Sequence, residues 1–131
     1  MRLVWQDGFR FEASNGSGRT VEIDADPSGP GMKPSDLVPL ALAACTAYEV
    51  VNILQRMRQP LEGLEATVDA KQEPATPGQF RSIRVRFVVR GPVDEGRARR
   101  ALELADGYCS VSASLRPTVR IDTSIEVAGP A

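Results

Sequence analysis

The sequence predicts an α+β fold in the order βββ-α-ββ-α-β, with helices packed against a mostly antiparallel sheet and one central helix buried. Three observations predict it. Three short alternating segments separated by turn residues crowd the first 24 positions. A run from Leu37 to Met57 is apolar around nearly its whole circumference, the pattern of a buried helix. Two period-two segments, a second helical stripe and a last alternating segment then follow. Strands and helices interleave only in part, and most neighbouring strands are joined by turns, which favours α+β. At 131 residues, with no repeat or linker, the chain is expected to form a single domain, 1–131.

Each element has its own justification. Asp7-Gly8 joins Leu3-Val4-Trp5 to Phe9-Arg10-Phe11, a hairpin signal whose two central residues are expected at positive φ. Asn15-Gly16-Ser17-Gly18 turns the chain into the third strand, Arg19 to Asp24. The Gly/Pro-rich loop from Asp26 to Pro34 lacks the G-x-x-x-x-G-K-[ST] spacing and a preceding strand, so it is not read as a phosphate loop. The first helix is expected to start near Ser35 or Asp36, with Pro39 in its first turn, and to end near Arg58. Leu64, Ala66, Val68 and Ala70 alternate with polar residues, as do Ile83, Val85 and Phe87, and the acidic face of one strand suits the arginine face of the other. Asp94 is expected to cap a second helix, Glu95 to Ala105, with Gly107 as its C′ residue. The last strand is Val119 to Val127.

Charge and composition narrow the function. Sixteen basic against 17 acidic side chains give a net charge of −1, which creates no field to recruit nucleic acid or a membrane surface. The N-terminus has no long apolar segment resembling a signal peptide, and the run from Leu37 to Tyr48 is too short to span a bilayer; a cytoplasmic location is expected. With no histidine, Ser-His and Cys-His nucleophile pairs are excluded, and two thiols make a poor zinc site, so no metal or cofactor is expected. The chemistry left to Cys45 and Cys109 is thiol redox. Each also has a structural reading: Cys45 as a small apolar residue in the first helix, Cys109 in a serine-rich turn. If Cys109 or Ser110 opens a short helical turn through Leu115, the thiol there meets free N–H groups that favour the thiolate. Glu49, four residues after Cys45, lies on the same helix face and would oppose ionisation unless paired, for instance with Arg56. The 64 residues between the cysteines leave open whether the sulfurs meet.

Gly29-x-Gly31, Pro34-Ser35-Asp36-Leu37, Leu42-Ala43-Ala44-Cys45-Thr46-Ala47 and Tyr108-Cys109-Ser110-Val111-Ser112-Ala113-Ser114-Leu115 together resemble the OsmC/Ohr family, the osmotically inducible protein C and organic hydroperoxide resistance proteins. The resemblance covers nearly the whole chain and lies closest to the OsmC-like branch. It implies an intertwined homodimer with active sites at the interface, and cysteines that converge. It further implies a thiol-dependent peroxidase acting on alkyl and lipid hydroperoxides, with Cys45 attacking the peroxide, Cys109 resolving the sulfenic acid to a disulfide, and a dithiol reductant, lipoyl-type dithiols included. Arg19 is the nearest match to the arginine that holds the thiolate, with Arg10 second. Ser35 stands where the peroxidases place a glutamate, with Asp36 adjacent as a substitute and Glu49 a further carboxylate partner. Ser110 stands where proline often follows the second cysteine. The alternative is a non-catalytic dimer that binds an apolar or thiol-bearing small molecule in the interface cleft.

Overall fold

The computed structural model describes residues 1–29 and 31–129. By its contacts the chain divides into two compact units, residues 1–38 and 39–131.

In the first unit, β1 (Arg2–Asp7), β2 (Arg10–Ser14) and β3 (Thr20–Asp24) form an antiparallel meander in the order β1-β2-β3. The first turn differs from the expected one. Asp7 pairs with Arg10 inside the ladder, so Gly8 and Phe9 make the loop, and of these only Gly8 has positive φ, at 49°. The cause is a bidentate contact, in which Arg10 Nε and Nη2 each donate to the Asp7 carboxylate at 2.9 Å and hold Asp7 in the strand. The loop after β3 does follow a strand directly, contrary to the expectation, because the third strand runs on to Asp24. Its glycines close around Asp24, which is 2% exposed. A Cβ on Gly29 or on Gly31 would collide with the Asp24 side chain, and Asp24 Oδ1 accepts the Asp26 N–H at 2.9 Å. Pro30, within this loop, lies outside the described residues.

α1 spans Pro34–Arg56. It begins earlier than expected: Pro34, with its φ already fixed, takes the first helical position, and Ser35 and Asp36 lie inside the first turn rather than capping it. Pro39 therefore falls in the second turn. The helix is also less buried than its composition suggests. Leu42, Val50 and Leu54 are fully buried, whereas Leu40 is 40% and Tyr48 68% exposed, with Ala41 and Ala44 exposed beside them. Apolar character around the whole circumference shows what a helix tolerates, not what covers it.

The second unit is built on β5 (Phe80–Arg90), flanked by β4 (Gly63–Gln72) and β6 (Arg120–Val127). β4 and β5 pair antiparallel, β5 and β6 parallel. Alternation puts Ile83, Val85, Phe87 and Val89 of the central strand into the core, each no more than 1% exposed. On the other face Arg86 donates to Asp69 of β4 at 3.2 Å, a cross-strand pair of the expected kind. A parallel neighbour requires a crossover. Here it consists of α2 (Glu95–Tyr108) and a short α3 (Ser110–Leu115), so the order gains a helix over the predicted one. Asp94 caps α2, its carboxylate accepting the Arg97 N–H at 2.9 Å. Gly107 is not a C′ residue: α2 continues through it to Tyr108, because the Cys109 N–H still reaches the Ala105 carbonyl. Ala98, Ala101, Leu102 and Ala105 turn inward, with Cys109 buried among the core residues. Among the described residues there are thus two three-stranded sheets in place of one, and three of the four pairings between strands are antiparallel.

Candidate active site

The hinge between α2 and α3 is a single residue, Cys109, and it serves both helices. Its extended backbone (φ −77°, ψ 110°) sends its N–H back to Ala105 at 3.1 Å, which closes α2. Its carbonyl accepts the Ala113 N–H at 3.0 Å, and its Sγ accepts the Ser112 N–H at 3.3 Å, which opens α3. A thiol sulfur here does what a Ser or Asp oxygen does at most helix starts.

Cys45, half-buried on α1, meets this helix start. Both thiols are free, and they lie close enough for the Cys109 S–H to pull the Cys45 pKa down while Cys45 pushes that of Cys109 up. The Ser110 and Val111 N–H groups and the Ser110 hydroxyl also reach the Cys45 sulfur. The first turn of a helix leaves N–H groups without intrahelical partners. In α3 that of Ser112 caps the Cys109 sulfur, and those of Ser110 and Val111 face Cys45.

This shared environment separates the thiols. Burial pushes Cys45 up, but the Cys109 S–H, the Val111 and Ser110 N–H groups and the Ser110 hydroxyl together outweigh it, so its pKa lies below that of an ordinary thiol. Burial pushes Cys109 up too, and there the neighbouring Cys45 reinforces it; the Ser112 N–H and the nearby Thr46 hydroxyl pull it back only in part. Thr46 Oγ1 is buried beside the Cys109 sulfur without completing a hydrogen bond, so it acts there as a dipole. The arrangement is asymmetric. A partly exposed thiol is prepared to ionise, and a buried one stays protonated and donates to it.

The other expected site residues are placed differently. Glu49 is half-buried one turn beyond Cys45, is not among the groups that shift it most, and forms no ion pair with Arg56 among the described residues. Asp36 faces Lys33 at 4.0 Å in the first turn of α1. Arg19 closes the turn before β3, its backbone N–H held by Asn15 Oδ1 at 3.0 Å. The Asp36–Lys33 ion pair and the Arg19–Asn15 bond lie within residues 1–38. What sequence reasoning missed is that one helix start serves both sulfurs. The signal was present in Cys109-Ser110-Val111-Ser112, a cap spacing, but only the crossover brings it onto Cys45.

Along α1, Ala44, Ala47, Tyr48, Val51, Asn52 and Gln55 line an open, largely apolar groove of about 600 Å³.

A family model described as OsmC-like protein matches residues 25–124, a span that contains both cysteines. The chain belongs to the OsmC-like family. Protein YhfA of Escherichia coli K12 is 31% identical over 128 residues, which cover 96% of each chain. Among solved structures, an OsmC-like protein from Mycoplasma pneumoniae superposes with a TM-score of 0.83 at 15% identity, covering 96% of this chain and 94% of its own. An organic hydroperoxide resistance protein from Legionella pneumophila gives 0.69 at 16% identity, covering 95% and 93%. At such identities the likeness is one of fold.

Proposed function

We propose that this OsmC-like protein is a thiol-dependent peroxidase that reduces organic hydroperoxides to alcohols in defence against oxidative stress. The observation that carries the reading is the asymmetric cysteine pair. The Cys45 thiolate attacks the outer peroxide oxygen; the O–O bond breaks, and the alkoxide leaves and takes up a proton as the alcohol. Cys45 is then a sulfenic acid. The Cys109 sulfur attacks it, the S–S bond forms as the S–O bond breaks, and water departs with the Cys109 proton. An external dithiol of lipoyl type returns both thiols. The apolar surface along α1 favours alkyl and lipid chains over hydrogen peroxide.

In this reading residues 1–131 act as one cytoplasmic OsmC-like domain, and a second copy covers the exposed face of α1 in a homodimer. Arg19 supplies a cation to the thiolate, with Asp36 or Glu49 as the carboxylate partner. The relative from Legionella pneumophila is named for organic hydroperoxide resistance, which supports the substrate class.

A second reading has its own observation. The strongest groups lowering Cys45 are hydrogen-bond donors with no arginine or lysine among them, and an apolar groove lies open along the same helix. Both suit a non-catalytic dimer that binds an apolar or thiol-bearing molecule. Turnover separates the two. With cumene or t-butyl hydroperoxide and a dithiol, the wild type is expected to consume peroxide, and Cys45→Ser is expected to be inactive. No turnover with any dithiol contradicts the peroxidase reading and favours the binding one.

A further inference from the structure

α3 cannot hold its own shape. Its six residues fall well short of the roughly 12–15 that an isolated helix needs to be even marginal in water. Yet its first three N–H groups must stay aimed at two sulfurs. The sequence spends an arginine on this. Arg116, the C-cap of α3, donates from Nη2 to Asp106 Oδ2 on α2 at 2.6 Å and from Nε to Ser112 Oγ at 3.0 Å. Ser112 is fully buried, and it is the residue whose N–H caps Cys109. Asp106 precedes the hinge by three residues and Ser112 follows it by three. One guanidinium thus ties both sides of Cys109. The remaining Asp106 oxygen, Oδ1, is buried without a partner, so nothing else neutralises this carboxylate as directly.

We propose that Arg116 is a positioning residue for the cysteine pair: by gripping Asp106 and Ser112 at once it fixes the α2–α3 hinge, and with it the N–H groups that face both sulfurs. The proposal deepens the peroxidase reading by naming what holds its site in order. Arginine is required because two partners lie on different nitrogens of one rigid fork, which a single ammonium cannot reproduce. Of the titratable groups around the pair, Glu49 lies on α1 and β5 gives the core only apolar side chains. Asp106 and Arg116 are the charged groups joined to α3.

The test follows alkylation of Cys45 by iodoacetamide across pH in the reduced protein, read at that residue by peptide mass spectrometry. Arg116→Gln is expected to move the profile to higher pH and slow alkylation at neutral pH about tenfold, the effect of one pKa unit. Arg116→Lys should recover part of the rate. Arg100→Gln, which breaks an exposed pair with Glu103 on α2, should leave the profile unchanged. A folded Arg116→Gln protein with the wild-type profile overturns the proposal. If Arg116→Gln does not fold, Ser112→Ala decides, because it removes only the hydroxyl partner: a shifted profile supports the clamp and an unchanged one overturns it. No peroxide enters the assay. A shifted profile in a protein that never turns over hydroperoxide keeps the clamp and sinks the peroxidase reading; turnover with an unshifted profile does the reverse.

Discussion

Ser110 offers a way to remove part of the site while keeping its helix. It is the first residue of α3, a position where proline is well tolerated, and Cys109 before it already has the extended backbone that a following proline favours. Ser110→Pro deletes both the N–H and the hydroxyl that reach Cys45, while Ser110→Ala deletes the hydroxyl alone. Alkylation of Cys45 at neutral pH is expected to slow in the order wild type, Ser110→Ala, Ser110→Pro, with little change in melting temperature; equal rates in all three would remove α3 from the account. In the wild type, the alkylation rate should rise with pH and level off at a lower pH than for an ordinary thiol, since the folded protein favours the Cys45 thiolate. Cys109 should stay unreactive through neutral pH, because its shift is upward. Both cysteines were legible in the sequence from their local contexts. Their proposed division of labour came from the family resemblance alone, because the local contexts do not show which helix start faces which sulfur.

The strands were legible where alternation is strict. Ile83, Val85, Phe87 and Val89 announce β5, and its pairing with β4 follows from matched lengths and opposite charge. Phe87 is the largest fully buried side chain, so Phe87→Ala is expected to cost about 3–5 kcal/mol in urea unfolding. Asp94→Ala, which removes the α2 cap, should cost about 1 kcal/mol. Element ends were less legible. Gly107 looked like a stop, but a glycine ends a helix only when the following N–H groups turn back, and that of Cys109 stays in the ladder. Pro34, rather than Ser35 or Asp36, starts α1 because a proline costs nothing where no N–H is needed. The parallel pairing of β6 had no local signal, since it depends on where the crossover lands.

A folded chain that leaves Leu40, Ala44 and Tyr48 exposed on one helix face invites a second copy, the arrangement proposed above. Sedimentation is expected to give a dimer, and Tyr48→Asp should shift it towards monomer; a wild-type monomer at every concentration would contradict the dimer. The family was legible from the two cysteine motifs and their separation, while the exposed helix face was not, because composition records apolarity and not its cover. The proposed function rests on Cys45 and Cys109 forming a working redox pair with Cys45 as nucleophile. The most direct test treats the reduced whole protein with one equivalent of cumene hydroperoxide and maps the products by mass spectrometry. The account predicts a Cys45–Cys109 disulfide in the wild type, and in Cys109→Ser a sulfenic acid on Cys45 that dimedone captures. A sulfenic acid trapped on Cys109 in Cys45→Ser at the wild-type rate, or two unmodified thiols in the wild type, would contradict it.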